Sequence, residues 1–418
     1  MPRPSGVLRY LMTAFSARMA DEGMAVAVVT LAAYRTGSAA QGAFVLTAWM
    51  APHVLAAPLT GAVAARARRP RLFYVGALGG FALAISALAM SIGRVPLPVA
   101  LAVAAAGGCC GPAVSGGLSS LITRLLPAGA ERDRAYSWDA AIYNAAAVAG
   151  PGATGLVSAA LSPITAALML SAAAACAAAL MALLPLRPDT AAARVSPARL
   201  RQDLAAGARI VRREQELRAI TAATCLAFIG IGALTTTSVL LSESLGSAGA
   251  GGLLMTAFAA GALAGTLGIA RLRPAPSPQR LALIGLIGTG MGLAAAALAP
   301  SVPTAAASFT VAGACDGLVL TATLRIRADH SPPRWRTQVF TIGAGLKISA
   351  AALGSVLAGP ATTGAAHWYL TAIAVLQAAA ALLYTLIRRS SRADPLPSAG
   401  TAVADGCPGP GRPGDRLA

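Results

Sequence analysis

Three charged side chains lie close together in the first apolar stretch of the chain. Arg18, Asp21 and Glu22 interrupt an otherwise apolar run from about residue 7 to residue 33. Arg18 lies one helical turn before both acids, so all three side chains can share one face of a helix. Two carboxylates in a medium of low dielectric do not both stay ionised without a cation nearby. The residue types and their spacing therefore predict a site that binds and releases a proton.

Two explanations of these charges remain open. Each charge at the centre of a membrane helix costs about 2.5–3.5 kcal/mol, so a chain that keeps three of them uses them or neutralises them on a neighbouring helix. Alternatively, the helix starts later and leaves the three side chains in water. For Arg18 itself, we expect that it either holds one of the two carboxylates ionised or faces a ligand.

The composition is typical of a protein that crosses a membrane many times. Of the 418 residues, 56% are hydrophobic and only 11% are charged, and the mean hydropathy is +0.67. Soluble domains of this length do not have such a composition. The net charge of +18 does not indicate nucleic-acid binding, because most arginines lie in the tails or in alternate loops between apolar runs. This distribution follows the positive-inside rule of membrane proteins.

Twelve apolar segments of about 20–25 residues are each long enough to cross about 30 Å of hydrocarbon. They cover residues 8–33, 41–64, 72–93, 97–122, 136–160, 163–186, 218–241, 249–270, 280–299, 303–324, 338–360 and 366–387. Breaks with few charges alternate with basic breaks. We therefore expect a multi-pass protein of the plasma membrane with both termini in the cytoplasm.

The twelve segments divide into two groups of six. We expect an all-α integral membrane protein with an N-terminal six-helix bundle at residues 1–186 and a C-terminal one at 218–389. Between them, residues 187–217 form a basic cytoplasmic linker with an amphipathic helix, and residues 390–418 form a disordered tail rich in glycine and proline. Basic sequences after the fourth and tenth segments lie about 200 residues apart, an internal symmetry typical of transporter folds.

The loop after the second segment contains one recognisable motif. Gly61, Arg66 and Arg69 match the pattern Gly-x-x-x-Asp-Arg-x-Gly-Arg-Arg, in which Ala65 replaces the aspartate. A second motif lies in the fifth segment, where Gly150, Pro151 and Gly155 resemble the pattern Gly-Pro-x-x-Gly-Gly. Proline removes a backbone hydrogen bond and bends a helix, and glycine lets a neighbouring helix approach closely.

With twelve segments and a basic central loop, these motifs make the sequence resemble the major facilitator superfamily, in particular its twelve-helix efflux members. The resemblance covers about residues 5–390. It implies two pseudo-symmetric six-helix bundles around a central cavity that opens alternately to the two sides of the membrane. In that family the aspartate of the loop motif helps to latch the gate, so Ala65 implies a changed latch.

Other polar residues inside the segments are candidates for the cavity and the gate. Asp316 and Lys347 lie at equal depth in adjacent segments, which predicts a buried pair that either only neutralises itself or lines the C-terminal half of the cavity. His53 either binds a proton or ligand or hydrogen-bonds to a neighbouring helix, and Asn144 lies upstream of the proline motif. For Asp139 we expect pairing with loop arginines at the gate.

The predicted function is export of a small, fairly apolar organic molecule, such as a drug or secondary metabolite, in exchange for protons bound at Asp21 or Glu22. The alternatives are a proton-linked uptake permease and a non-transporting membrane sensor or scaffold. No nucleotide-binding loop, catalytic set or metal-ligand spacing occurs, so we expect neither an enzyme nor a cofactor. The expected partners are the small-molecule substrate, protons and the lipid bilayer, without nucleic acid, and the expected state is a monomer.

Overall fold

The computed structural model of the chain describes residues 4–186, 197–247, 250–274, 276–358 and 366–390. These ranges contain sixteen α-helices and no β-strand. The helices are α1 Pro4–Thr36, α2 Ala39–Met50, α3 His53–Arg66, α4 Pro70–Ser91, α5 Leu97–Gly108, α6 Leu118–Ser120, α7 Ile122–Leu125, α8 Ala130–Ala160, α9 Pro163–Ala182, α10 Pro197–Arg213, α11 Gln215–Ser244, α12 Gly251–Arg271, α13 Pro278–Ala297, α14 Val302–His330, α15 Arg336–Leu357 and α16 Ala366–Ser390. A π-helical segment, Ala113–Gly117, precedes α6, and a 3₁₀ turn, Pro333–Trp335, precedes α15.

Within the described ranges, ten helical segments are long and apolar enough to cross a membrane. They are Phe44–Arg66, Pro70–Ser91, Leu97–Ser120, Pro163–Ala182, Gln215–Ser244, Gly251–Arg271, Pro278–Ala297, Val302–His330, Pro333–Leu357 and Ala366–Arg389. The first and fifth predicted spans correspond to α1 and α8, with 33 and 31 residues. Both are long enough to cross a bilayer, but their charged residues make them less apolar than the other ten.

Proline and capping hydroxyl groups mark where several helices begin. Proline occupies the first turn of α4, α9 and α13, where its missing N–H group costs no helical hydrogen bond. The side chain of Ser162 accepts a hydrogen bond from the backbone of Thr165 at the start of α9, and Ser301 and Thr304 form a capping box at the start of α14. The short turns predicted from the sequence are therefore fixed by local backbone chemistry.

The loops of the bundle divide it into two chemically different ends. Loops 67–69, 126–129, 272–277 and 331–335 lie at the end where most arginines of the described chain gather, which we call the basic end. The turns 92–96, 161–162 and 298–301 lie at the opposite end and carry few charges. Between the two ends, large apolar side chains on most of the helices are exposed, as expected for surfaces that face lipid.

The helices pack as two halves that meet at a few places. In the N-terminal half α1 packs on α8 and α9, and α4 packs on α9; in the C-terminal half α14 packs on α12 and α13, and α16 packs on α11 and α13. The halves contact each other mainly where α3 meets α15 and where α8 meets α12. Because α1 and α11 are not packed against each other, space remains between the halves.

Helix α10 contacts α3, α11 and α15. Of the expected tail, residues 390–418, only Ser390 is described, as the last residue of α16. Residues 391–418, and residues 187–196 of the expected linker, lie outside the described residues.

Close glycine contacts hold α12 against α14. A Cβ atom on Gly313 would meet the backbone oxygen of Phe258, and one on Gly261 would meet the backbone oxygen of Thr310. Gly76 on α4, by contrast, has nothing within 4 Å of the position that a Cβ atom would occupy. The sequence spacing of small residues therefore indicates real helix contacts in some places and open surface in others.

The substitution Gly313→Ala should destabilise the protein by about 1–3 kcal/mol, because the backbone of α12 must move to accept the new methyl group. The matched substitution Gly76→Ala should be neutral or stabilising, since alanine is the better helix former and meets no neighbour there. Thermal unfolding of the purified protein in detergent micelles measures both. Equal effects of the two substitutions would contradict the close packing of α12 on α14.

Candidate functional site

A cavity of about 460 Å³ lies between the two halves, with a volume in the range of small-molecule sites. Its lining comes from α1, α2, α3 and α8 on one side and from α11, α14 and α15 on the other. The polar and charged side chains that line it are Asp21, Glu22, His53, Asn144, Asp316, Lys347 and Ser355. Six of the seven residues predicted for the cavity from the sequence therefore surround one space, and Arg18 does not.

Aromatic and aliphatic side chains form the rest of the cavity wall. Trp49, Tyr143 and Phe228 line it together with methionine, leucine, isoleucine and alanine side chains. The Nζ atom of Lys347 lies 4.4 Å from the ring centroid of Phe228 and 5.7 Å from that of Tyr143. Such distances are those of cation–π contacts, which stabilise a cation without neutralising it. The cavity thus combines an apolar wall with a small number of charges.

Of the two alternatives for Asp316 and Lys347, the positions of both side chains favour the one in which they line the cavity. Both side chains line the cavity, but among the described residues they form no ion pair with each other. Their helices are neighbours in sequence but not the closest neighbours in space, because α15 packs on α11 and α3 more than on α14. Equal depth in the membrane was therefore insufficient to predict contact.

Arg18 lies in a separate buried network. Its Nη1 atom is 2.8 Å from Oδ1 of Asp139, and its Nη2 atom donates a hydrogen bond of 2.9 Å to Ser119. Tyr10 and Ser119 each donate a hydrogen bond of 2.7 Å to the Asp139 carboxylate. Arg18 is 1% exposed and Asp139 is fully buried. The predicted pairing of Arg18 with Asp21 or Glu22, and of Asp139 with loop arginines, is therefore wrong.

The two acids of α1 face the cavity instead. Neither Asp21 nor Glu22 forms an ion pair within the described part of the chain, although Arg18 lies only one helical turn away. Arg18 is compensated by Asp139, so it does not hold either acid ionised by direct contact. A carboxyl group in this position can bind a proton when the cavity is dry and release it when water or a cation enters.

The glycine and proline motif of the fifth segment brings α8 close to these acids. A Cβ atom on Gly150 would meet the backbone of Met19 and Gly23 and the side chain of Glu22. Pro151 lies inside the continuous helix α8. Gly155 has nothing within 4 Å of its Cβ position, so it makes no close helix contact. Of the two motif glycines, only Gly150 therefore has the packing role expected from the sequence.

Two ion pairs join the halves at the basic end. Nη2 of Arg132 lies 2.5 Å from Oδ1 of Asp329, and Nη2 of Arg325 lies 2.7 Å from Oδ2 of Asp133. Each pair connects α8 of the N-terminal half to α14 of the C-terminal half. Arg325 also donates a hydrogen bond of 2.9 Å to the backbone oxygen of Pro276. The basic end is therefore bridged by paired charges of both signs.

Close packing reinforces the bridge below the cavity. The hydroxyl groups of Ser120 and Thr337 lie 3.0 Å apart, and the rings of Tyr136 and Phe340 stack with centroids 6.1 Å apart. A Cβ atom on Gly61 would meet Thr341 and the backbone of Gln338. The glycine of the loop motif therefore lets α3 approach α15 closely.

The two arginines of the loop motif differ in environment. The side chain of Arg66 is buried, with 6% of its surface exposed, whereas Arg69 is exposed at the basic end. The two motif arginines, Arg66 and Arg69, therefore differ in their access to solvent.

The four charged residues of the bridge were not predicted as site residues. The sequence placed Arg325 in a loop, because the apolar run ends near residue 324, but α14 continues to His330 and carries Arg325 and Asp329 with it. The sequence nevertheless contains a pattern that could have indicated these four residues. The neighbours Arg132 and Asp133 and the pair Arg325 and Asp329 each combine both signs of charge after corresponding spans of the two halves.

The fold is similar to that of several solved membrane transporters. The human organic anion transporter MFSD10 (TETRAN) matches with a TM-score of 0.73 at 16% identity, over 93% of this chain and 99% of that chain. A variant of the Escherichia coli fucose:proton symporter FucP matches with a TM-score of 0.70 at 13% identity, over 93% and 99%. The proton:xylose symporter XylE, bound to 6-bromo-6-deoxy-D-glucose, matches with a TM-score of 0.67 at 14% identity, over 92% and 96%.

These matches show that the chain has the all-helical fold of membrane transporters. The model of the Major Facilitator Superfamily matches residues 10–272 and, in a second alignment, residues 220–405. The chain belongs to the major facilitator superfamily. A search among curated proteins found no significant match.

Replacing one partner of the Arg18–Asp139 pair should destabilise the protein strongly. Arg18→Met or Asp139→Leu leaves a buried charge without compensation, which typically costs about 3–5 kcal/mol. The double substitution should cost less than either single one, because no charge remains. Thermal unfolding in detergent micelles measures the three variants. Arg35→Met, which removes the arginine in the last turn of α1, serves as the control. The paired arrangement is contradicted if the double variant is the least stable.

Proposed function

We propose that the chain is a secondary active transporter that exports a small organic molecule in exchange for protons. The observation that carries this proposal is the position of Asp21, Glu22 and Asp316 on the wall of one cavity between the two halves. Membership of the transporter superfamily supports transport as the activity. The apolar and aromatic wall supports a fairly apolar solute, such as a drug or secondary metabolite.

In this proposal α1 and α8 are membrane spans, which makes twelve in total. The basic end faces the cytoplasm, as do both termini, and the protein acts as a monomer in the plasma membrane. The bundle 1–186, the linker 187–217 and the bundle 218–389 are the moving units. Charges inside the spans are tolerated because Arg18 is paired and the carboxylates face a space that water can enter.

The conformation described here corresponds to a closed cytoplasmic side. The ion pairs between α8 and α14 and the packing below the cavity bridge the basic end. The cavity lies between this bridge and the opposite end, because its lining on α15 runs from Lys347 to Ser355, away from the basic end. Protons from outside would bind Asp21 or Glu22 in this state. Opening of the bridge would then release them to the cytoplasm as the solute binds.

Proton-linked uptake is the second candidate. A cavity on the outer side of a closed cytoplasmic bridge is also the state in which an uptake permease receives its solute. Two of the similar structures are proton symporters, for fucose and for xylose, and a third is an organic anion transporter. The same carboxylates would serve either direction, so the direction of coupled proton movement distinguishes the two candidates.

Everted membrane vesicles that contain the protein test the coupling. A panel of neutral, cationic and anionic aromatic molecules is added to vesicles without a pH gradient, and the pH of the medium is recorded. Under antiport, entry of a transported molecule releases protons and the medium becomes more acid; under symport, the medium becomes more alkaline. The double substitution Asp21→Asn with Glu22→Gln should reduce the proton signal at least about tenfold, since no carboxylate of α1 remains to carry a proton.

Glu243→Gln is the matched control, because it neutralises an exposed carboxylate at the outer end of α11 and should leave the proton signal unchanged. Proton movement that persists in the double variant would contradict the role of Asp21 and Glu22. A change of the medium in the alkaline direction would contradict export and support proton-linked uptake. Absence of any signal with every molecule, while the protein is folded, would favour a non-transporting sensor or scaffold.

A further inference from the structure

A second arginine, Arg327, is buried without a compensating charge. It lies on α14, is 4% exposed, and forms no ion pair or hydrogen bond within the described part of the chain. Its Nε and Nη2 atoms are buried and have no hydrogen-bond partner. Two residues earlier, Arg325 has both Nη atoms bonded, to Asp133 and to the backbone oxygen of Pro276, and only its Nε atom lacks a partner. A buried, unpaired guanidinium is costly, so its retention points to a partner that is bound only part of the time.

The backbone makes room for this guanidinium. A Cβ atom on Gly343 of α15 would meet the Cζ, Nη2 and Nε atoms of Arg327. The guanidinium therefore lies directly against Gly343, one of the three glycines of α15, and it cannot move closer to that helix. Its free side is directed to a small pocket that it lines.

This pocket lies on the basic-end side of the main cavity and has a volume of about 30 Å³. Its lining includes two cations, Arg327 and Lys347, and the hydroxyl groups of Ser115, Thr224 and Thr323. No aspartate or glutamate is among the described residues that line it. A volume of this size holds one or two water-sized groups, which is enough for a carboxylate or a small ion but not for a whole organic molecule.

Lys347 connects the pocket to the main cavity, because it lines both. Tyr143, Phe228, Leu320 and Ile348 also line both spaces. A molecule whose apolar part lies in the main cavity could therefore place one small group in the pocket. Two like charges around an empty pocket repel each other, and an anion between them removes this repulsion and gives the guanidinium hydrogen-bond acceptors.

We propose that this pocket is an anion-binding site and that it receives one carboxylate group of the transported molecule. Arg327 and Lys347 bind the two oxygens, and the apolar body of the molecule lies against the aromatic wall of the main cavity. The transported molecule is then an amphipathic organic acid. This inference rests on the proposed transport function for the identity of the ligand, but binding to the site can be measured without transport.

Binding is tested with the purified full-length chain in detergent micelles, in a Tris–HEPES buffer that contains neither chloride nor any carboxylate. The probes are 2-naphthoate and its uncharged amide, 2-naphthamide, and ligand binding is measured as the concentration-dependent rise in the unfolding temperature. Naphthoate should stabilise the protein and naphthamide should not. Arg327→Gln and Lys347→Gln should each raise the Kd for naphthoate about tenfold or more, the effect expected for loss of a charged hydrogen bond.

Arg271→Gln is the matched control, since it removes an exposed arginine at the same end of the bundle and should change the Kd less than twofold. Arg327→Lys keeps the charge; it should fold if Arg327→Gln does not, and it should bind naphthoate with intermediate affinity. Equal stabilisation by naphthamide, or unchanged naphthoate binding in both Arg327→Gln and Lys347→Gln, would overturn the proposal.

A second arm adds sodium chloride to the same buffer. If chloride alone stabilises the protein through Arg327 and naphthoate adds nothing, the pocket is a site for an inorganic anion and its assignment to the transported molecule is wrong. Continued naphthoate binding in chloride supports the assignment. Naphthoate binding in micelles is measured without a pH gradient and without transport. The anion site therefore stands or fails independently of proton coupling.

Discussion

The cost of placing charge in hydrocarbon organises this molecule. A charged group inside a membrane bundle must be paired, or it must face a space that water or a ligand can enter. Arg18 meets the first condition through Asp139, Ser119 and Tyr10. Only one turn further along α1, Asp21 and Glu22 meet the second condition, since they line the cavity. The same helix therefore supplies a buried ion pair at Arg18 and a potential proton site at Asp21 and Glu22. The cavity begins between Arg18 and Asp21.

The span pattern could be predicted from the sequence, because the length of an apolar run is local information. Ten of the twelve predicted segments correspond to helical segments of the described chain that are apolar and long enough to span a membrane, and the short turns fall where proline and serine begin the next helix. The charges inside the runs also identified most of the cavity lining. The sequence does not show which charged residues form pairs in the folded protein. Arg18 and Asp139 are separated by 121 residues, and only the packing of α1 on α8 joins them.

The bridge at the basic end combines two ion pairs with tight packing. The carboxylates of Asp133 and Asp329 are partly exposed, whereas the side chains of Arg132 and Arg325 are only 10% and 4% exposed. Loss of either carboxylate therefore costs more than the contribution of about 0.2–1 kcal/mol of a fully exposed pair, because a buried guanidinium is left uncompensated. Within each half, glycines hold helix backbones in close contact, as Gly313 does between α14 and α12. Closely packed halves joined by a few paired charges are an arrangement compatible with rigid-body rocking.

We propose that opening of the basic end and closing of the opposite end are one motion. Pulsed electron resonance between spin labels measures this directly, with one pair at Ala128 and Arg334 on the basic end and one pair at Arg94 and Ser244 on the opposite end. Asp133→Asn with Asp329→Asn removes both ion pairs of the bridge. We predict that the first distance then lengthens while the second shortens. Lengthening of the first distance without a change in the second would contradict alternating access in this protein.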